Sequence, residues 1–411
     1  MNAATLSEPG PGSGQRGPLL SSCVAVLAIL LFSTGIDNYG FDVWGAPPPL
    51  YWVLAVIAAA GASSIISMRS PSAMLRSPVL LWFAGYFLVS TLWGVAMRSA
   101  PKVQQALYDR YRSVALAVAL LIIFSDARAR RSGVLAVAVA TAVNALLNLS
   151  ESLGVIDFAA MDGDVTGRVP GRAAGFFINS NVAGIAIVLG LAVAVPRIPR
   201  AARVALLLLG AAGVAATFSR GAQLCFLCLL LWLALRKVVP MWPLAMSGAA
   251  VALFIAYEGS SLFEFFERRG VLNDNTLGRL RLEADDSGRT ELAHMAWRMF
   301  LDSPLIGKGL ASTIDWGASV SSHNQYLGLA AEHGIVGLLL LPALGLALCW
   351  NNPSAVPLAL VLMLAGLISH NLLEDRGTLL AISLASGFYG SPLEERPAEA
   401  MEEEEPAALA R

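Results

Sequence analysis

Charged residues are scarce in this sequence, and neither sign is in clear excess. Aspartate, glutamate, lysine and arginine make up 14% of the 411 residues, whereas 56% are hydrophobic. A soluble domain carries about 25% charged residues, so this composition excludes an ordinary soluble protein and predicts a polytopic membrane protein. The net charge of −1 offers no electrostatic basis for binding nucleic acid, and we expect no nucleic-acid partner.

Cysteine is scarce as well, and none lies in a loop. Cys23, Cys225, Cys228 and Cys349 all fall within apolar runs. Cys225 and Cys228 form a CxxC pair, but no histidine or acidic residue lies near it in the sequence. The pair therefore predicts core packing rather than metal binding or redox chemistry.

Long apolar runs make up most of the sequence. A helix needs roughly 17 to 25 apolar residues to span a bilayer. They predict an all-α polytopic membrane protein of about twelve transmembrane helices, with one periplasmic loop domain. The predicted spans are 19–36, 48–67, 78–97, 107–124, 133–150, 176–196, 201–217, 222–238, 241–257, 326–350, 355–370 and 376–390. The predicted segments are a disordered cytoplasmic N-terminus (1–18), spans one to nine (19–257), a periplasmic loop with an amphipathic helix (258–322), spans ten to twelve (323–390) and an acidic cytoplasmic tail (391–411).

Four successive short loops on one side of this bundle are basic and contain few acids. By the positive-inside rule these loops are cytoplasmic, and so are both termini. The opposite loops also carry arginines, including Arg172 and Arg220, which break the rule. Such arginines either extend to lipid headgroups or bind an anionic group on the outer face. The stretch from Arg98 to Arg112 favours interfacial anchoring over phosphate contact.

The segment from Ser321 to Gly337 joins a polar start to an apolar span, which puts His323, Asn324 and Tyr326 at a membrane surface. An imidazole there is suited to act as a general base, because its reference pKa is about 6.5. Glu332 and His333 would lie deeper, where ionisable groups either serve function or form helix–helix hydrogen bonds.

A Ser-His-Asn triplet occurs at His323 and again at His370, at the outer end of the next span. We interpret His370, together with Glu374, Asp375 and Arg376, as a polar helix end. The sequence gives no further role to this second triplet.

Two arginines occupy positions suited to phosphate. Arg220 lies in the tight turn TFSRG, and its guanidinium can bond two phosphate oxygens, although an anchoring role is the alternative. Arg289 lies in the first turn of a predicted amphipathic helix, where a cation is unfavourable unless an anion is nearby. Arg172 is predicted at the mouth of the sixth span. Asp162 and Asp164 form a DxD that favours a turn over a metal site.

The ordered motifs GRAAGFFINSNVAG, FSRG, SGRTELAHMAWRMFLDSPLIGKGL and SHNQYLGLAAEHGIVG resemble the bacterial O-antigen ligase family, from Arg172 to Cys349. The resemblance implies a GT-C-like glycosyltransferase of the bacterial inner membrane, with no cofactor and no metal. Its partners would be an undecaprenyl-pyrophosphate-linked glycan, the lipid A-core oligosaccharide and membrane lipids, with the active site facing the periplasm. Catalysis would fall to Arg220, Arg289 and His323.

We expect Arg172, Asn324 and Tyr326 to bind substrate beside these catalytic residues. Related O-antigen polymerases share the motif region, so ligase and polymerase both stay open. A flippase for lipid-linked sugars would need charges inside the spans and comparable motifs on both faces. A scaffold without activity would tolerate replacement of His323.

Overall fold

The computed structural model describes residues 16–67, 77–96, 101–158, 161, 168–169, 171–240, 289–313 and 323–388. Within these ranges all regular secondary structure is helical. The helices are α1 (Arg16–Thr34), α2 (Ile36–Trp44), α3 (Pro49–Ser67), α4 (Pro78–Ala96), α5 (Pro101–Phe124), α6 (Ala127–Ser152), α7 (Ser180–Ala194), α8 (Arg200–Ala216), α9 (Arg220–Leu235), α10 (Arg289–Asp302), α11 (Gln325–Cys349), α12 (Val356–Gly366) and α13 (Arg376–Ser386). Short 3₁₀ turns lie at Gly175–Phe177, Val195–Arg197 and Pro353–Ala355.

Helices occupy every predicted span except 241–257, which lies outside the described residues. Four are long and apolar enough to cross a membrane: Pro78–Ala96, Ala127–Ser152, Ser180–Arg197 and Gln325–Cys349. The pair α1 and α2, bent by 64°, would make a fifth if it forms one span. The described part is therefore that of a multi-pass membrane protein with four or five spans by length and composition.

Helix α2 was not predicted, because the sequence between the first two spans suggests a loop. The chain bends at Gly35, which has a φ of 74°. A Cβ at Gly35 would lie 2.8 Å from the ring of Phe177. Glycine is required at this bend both for the left-handed backbone and for the close approach of the ring.

Helix α7 is the most buried of the four span-length helices and lies against α6, α8 and α9. Small residues allow this packing: a Cβ at Gly190 would overlap the Thr141 side chain, and one at Gly213 on α8 would lie 2.6 Å from the Ala145 backbone. Close approach at small residues is typical of helices in membranes. These contacts bring α7 and α8 close against α6.

Helix α11 is broken at Gly334, whose backbone is far from helical (φ 63°, ψ −144°). The segment after α10 crosses the break and satisfies its backbone groups. The carbonyls of Ala331 and Glu332 accept hydrogen bonds from the Lys308 and Gly309 N–H groups at 2.8 and 3.0 Å. The break separates the first turns of α11 from its longer apolar part, so the helix does not enter the bundle as one straight rod.

Arg110 lies in the stretch predicted to anchor at the interface, but it does not take that role, because the residue is only 6% exposed. Its guanidinium contacts the Glu332 carboxylate directly and lies 2.6 Å from Nε2 of His333. The second Glu332 oxygen accepts a hydrogen bond from the Ala311 N–H at 3.0 Å. Of the two roles open for Glu332 and His333, the structure supports helix–helix bonding, between α11 and α5.

Helix α10 lies where the amphipathic helix was predicted. Leu292, Ala296 and Phe300 recur at helical spacing on it, and all three are buried. Of the predicted loop domain at 258–322, the structure describes only 289–313, so the domain boundaries stay a prediction.

Candidate functional site

A cavity of about 530 Å³ opens where α1, α6, α7, α9 and α13 meet the start of α11 and the connection between α12 and α13. Among its lining residues, the charged or titratable ones are Arg220, His323, His370 and Asp375. The other polar lining residues are Ser33, Thr141, Asn179, Asn181, Ser219, Ser369, Asn371 and Thr378. The cavity thus brings together two of the three residues predicted to be catalytic, Arg220 and His323.

Four helices begin at this cavity. Asn179, Ser219 and Asp375, the N-caps of α7, α9 and α13, line it, and Asn324, the N-cap of α11, follows the lining residue His323. The first N–H groups of a helix and its dipole present partial positive charge at its N-terminus. Four such ends around one cavity, together with the Arg220 guanidinium, make a setting that favours an anionic ligand.

The backbone turns sharply just before three of these helices. Ile178, Phe218 and His323 each precede an N-cap and have positive φ values of 62°, 49° and 48°. Such values are rare for residues other than glycine, above all for a β-branched one like Ile178. Strained residues of this kind cluster at functional sites.

Arg220 owes its place in the cavity to close packing of the first turn of α9. A Cβ at Gly184 on α7 would lie 2.6 Å from the Cβ of Ala222, and one at Gly221 would overlap the side chain of Ile368. The turn therefore lies directly against α7 and against the α12–α13 connection. Its first residue, Arg220, therefore faces the space between them and lines the cavity.

His323 and His370 contact each other across the cavity. Their ring centroids are 5.1 Å apart, and the ring planes meet at 85°. His370 is exposed toward the open cavity, and the protein packed around its ring partly desolvates it. This desolvation, with a smaller contribution from His323, lowers the pKa of His370 to about 4.

Arg172, Asn324 and Tyr326 lie around the cavity rather than in its lining. Arg172 is buried and donates to the Thr217 carbonyl at 3.0 Å and to the Asn181 amide oxygen at 2.8 Å. The Asn324 side chain accepts from the Leu327 N–H at 3.1 Å, capping α11. The Tyr326 hydroxyl donates to the Met363 carbonyl at 3.1 Å. Each of the three therefore supports an element that carries a lining residue.

Arg289 begins α10, but its side chain is not among those described, so its predicted meeting with Arg220 and His323 stays a prediction. The DxD residues Asp162 and Asp164 also lie outside the described ranges. In the part of the chain that is described, no group of three or more histidine, cysteine, aspartate or glutamate side chains is placed to hold a metal ion.

Two features of the site were missed from the sequence. His370 lies in the cavity rather than at an ordinary polar helix end, and the repeated Ser-His-Asn triplet was the signal that could have found it. The start of α13 was predicted at residue 376 but not assigned to the site, and it is held by an ion pair of 2.8 Å between Arg376 and Asp37 on α2. That partner is too distant in sequence for any local pattern to reveal it.

The rest of the cavity wall is apolar. Phe32, Val137, Leu380 and Ala381 line it from three helices, and α7 contributes residues from Val182 to Leu189. Between Asn179 and Gly190, both lining residues, the helix rises about 16 Å at 1.5 Å per residue. The cavity therefore combines a polar, positively polarised end with an apolar wall that follows a buried helix.

Comparison with known proteins identifies the same region. Residues 205–341 match the family model Wzy_C, described as O-Antigen ligase. The matched segment contains Arg220, Arg289, His323, Asn324 and Tyr326, whereas Arg172 and His370 lie outside it. No curated protein matches the chain. The match over residues 205–341 supports the family that the sequence motifs suggested.

Proposed function

The chain carries an O-antigen ligase domain at residues 205–341, and from this premise we propose that it is an O-antigen ligase. It transfers a polysaccharide from undecaprenyl pyrophosphate to a hydroxyl of the lipid A-core oligosaccharide. The reaction takes place at the periplasmic face of the bacterial inner membrane. The observation that carries the proposal is the shared cavity of Arg220 and His323, at which four helices begin.

Binding of the diphosphate is the first task in this proposal. As the bond between the anomeric carbon and the phosphate oxygen breaks, the electron pair passes to that oxygen. Arg220 and the N–H groups at the helix ends stabilise the developing charge, because they are fixed donors in a partly dehydrated cavity. Arg289 would add a second guanidinium, and the chemistry then needs no metal ion.

The lipid carrier is the second element. An isoprenoid chain attached to the diphosphate needs an apolar surface beginning within a few ångströms of the phosphate site. The apolar wall along Val182 to Leu189 begins at the turn that Asn179 caps, and so supports a lipid-linked donor over a free sugar nucleotide.

Proton transfer is the third element. The acceptor hydroxyl attacks the anomeric carbon, and its proton passes to a ring nitrogen of His323. One direct displacement forms the new glycosidic bond as the old one breaks, which inverts the anomeric centre. Arg172, Asn324 and Tyr326 contribute to substrate binding by fixing Asn181 and the start of α11.

This function requires a particular arrangement in the membrane. We propose about twelve transmembrane helices in a GT-C-like bundle, with a periplasmic loop at 258–322 and both termini in the cytoplasm. The proposal rests on the apolar helices at the predicted spans and on the basic loops of one side. Labelling of single engineered cysteines in intact cells tests it: cysteines at 258–322 should react from outside, and cysteines at 125–131, between α5 and α6 and at the start of α6, should not.

Transfer in vitro tests the function directly. Purified protein is mixed with lipid-linked glycan and lipid A-core, and the products are separated on a gel. Sugar chains on lipid A-core identify a ligase, whereas longer lipid-linked chains identify the alternative, a polymerase acting on lipid-linked repeat units. His323→Ala should lower the rate by about 10²–10⁴.

His294→Ala is the matched control, because His294 lies exposed on α10 and is not among the residues that line the cavity. It should leave the rate unchanged. Transfer at the wild-type rate by His323→Ala would contradict the proposed function.

A further inference from the structure

The two Ser-His-Asn triplets of the sequence meet in the cavity, although they belong to different connections. His323 lies just before α11, and His370 lies between α12 and α13. The two rings stand edge to face with centroids 5.1 Å apart. Only one of the two has a role in the proposed reaction.

Three contacts hold the two triplets in a fixed relation. The Gln325 amide oxygen, in the first turn of α11, accepts a hydrogen bond from the Leu372 N–H at 3.1 Å. The Tyr326 hydroxyl donates to the Met363 carbonyl near the end of α12. The Tyr326 ring also occupies the space beside Gly366, 3.0 Å from where a Cβ would lie. The distance between the two imidazoles is therefore set by the packing of α11 on α12.

Charged groups of both signs lie among the residues that line the cavity with the two histidines. Among the described lining residues, the charged ones beside the histidines are Arg220 from α9 and Asp375 at the start of α13. The Asp375 carboxylate already accepts from the N–H and the hydroxyl of Thr378, both at 2.7 Å. The N-terminal ends of α7, α9, α11 and α13 add partial positive charge. Desolvation, with a smaller contribution from His323, lowers the pKa of His370 to about 4, and this favours a neutral His370 at cellular pH.

We propose that His370 is a positioning residue for His323: a neutral ring that packs edge to face on the base and fixes its orientation toward the acceptor hydroxyl. The inference rests on the proposed function, in which His323 takes the proton. His370 exchanges no proton in this scheme, so the proton accepted by His323 stays there until product leaves. His370 acts only by holding the His323 ring in position. This matters because a displacement of about 1 Å at a reacting group can cost on the order of 100-fold in rate.

Two substitutions distinguish the contribution of the His370 ring as a planar group from that of its titrating nitrogens. His370→Ala removes the ring, and we expect kcat to fall by about 10- to 100-fold while KM changes by less than about 3-fold. His370→Phe keeps a planar ring without a titrating group. It should restore kcat to within about 3-fold of wild type, with the acid limb of the pH–rate profile unmoved. If His370 only stabilised the fold, its substitution would not lower kcat while leaving KM nearly unchanged.

A second measurement needs no substrate. The chain has four histidines, so ¹³C labelling of histidine yields a simple spectrum, and the loss of one resonance in His370→Phe assigns that residue. We expect the His370 resonance to keep the chemical shift of a neutral imidazole from pH 5 to pH 8.

Any of three results would overturn the inference. The first is a wild-type kcat in His370→Ala. The second is a change in rate or in the acid limb of the pH–rate profile that is as large in His370→Phe as in His370→Ala, and the third is titration of the His370 resonance between pH 5 and pH 8. The proposed function fails separately, through wild-type transfer by His323→Ala. A loss of transfer in His323→Ala with none in His370→Ala would therefore reject the positioning role alone.

Discussion

Arg110 on α5 and Glu332 on α11 form an ion pair in which both side chains are 7% exposed. The pair bridges α5 to the residues just before the break at Gly334. The guanidinium also lies over the Tyr86 ring, 5.7 Å from its centroid, and approaches the Glu374 carboxylate at 3.8 Å. Glu374, whose side chain is partly exposed, belongs to the connection that carries His370, so this cluster connects the cavity wall to α5 and α11.

Removing one partner of this pair should destabilise the protein strongly. Arg110→Leu leaves the Glu332 carboxylate buried without its cation, a change that costs about 3–5 kcal/mol in buried pairs. The midpoint of thermal unfolding in detergent should fall by several degrees or more. Arg112→Leu is the control, because Arg112 pairs with Asp109 at a partly exposed site and such pairs contribute about 0–1 kcal/mol.

The double variant Arg110→Leu/Glu332→Leu sharpens this prediction, since replacing both charges avoids an orphaned ion. We expect it to unfold at a higher temperature than Arg110→Leu alone. A double variant less stable than both single variants would contradict this reading of the pair.

Transfer should require the planar set of N–H donors on the Arg220 guanidinium, and not only its positive charge. Arg220→Ala is expected to lower kcat by about 10²–10³, the cost of losing an oxyanion donor. Arg220→Lys should recover only part of this loss, because an ammonium group cannot bond two oxygens in one plane. In vitro transfer measures both variants against Arg236→Ala, which changes an exposed arginine at the other end of α9. Full activity in Arg220→Lys would show that charge alone suffices.

The sequence predicts those features of the fold that depend on local patterns. Leu292, Ala296 and Phe300 recur at helical spacing, and this was enough to place α10. Arg220 and His323 were both assigned to the outer face from the positions of their turns, and the cavity brings them together. Each of these inferences uses residues that are close in the chain.

The features that were missed depend on contacts between distant segments. The run after Gln325 is apolar apart from Glu332 and His333, and nothing in it reveals that residues near Lys308 satisfy the carbonyls exposed by the break at Gly334. The bend at Gly35 depends on the ring of Phe177. His370 was recognised as a repeat of the His323 triplet, but its place in the cavity follows from the packing of α11 on α12.

The break in α11 should tolerate no side chain at Gly334. A Cβ there would lie 2.5 Å from the backbone carbon of Leu305, and the backbone conformation is itself one that alanine avoids. Strain of this kind costs of the order of 1–3 kcal/mol, and the contact with backbone adds to it. Gly334→Ala should therefore unfold at a clearly lower temperature. Gly61→Ala, in α3, meets nothing within 4 Å and should be neutral or slightly stabilising. Equal unfolding temperatures for the two variants would refute the assignment of this break.

Transfer should not depend on a divalent cation. In the proposed mechanism the Arg220 guanidinium and the helix ends carry out the charge stabilisation for which other phosphate-handling sites use a metal ion. Purified protein treated with excess EDTA should retain its rate, and adding Mg²⁺ or Mn²⁺ afterwards should not raise it. Loss of activity with EDTA, restored by Mg²⁺ and absent in Asp162→Asn/Asp164→Asn, would instead assign a metal to the DxD segment. The guanidinium would then assist the cation rather than replace it, and the loss in Arg220→Ala should be correspondingly smaller than 10²-fold.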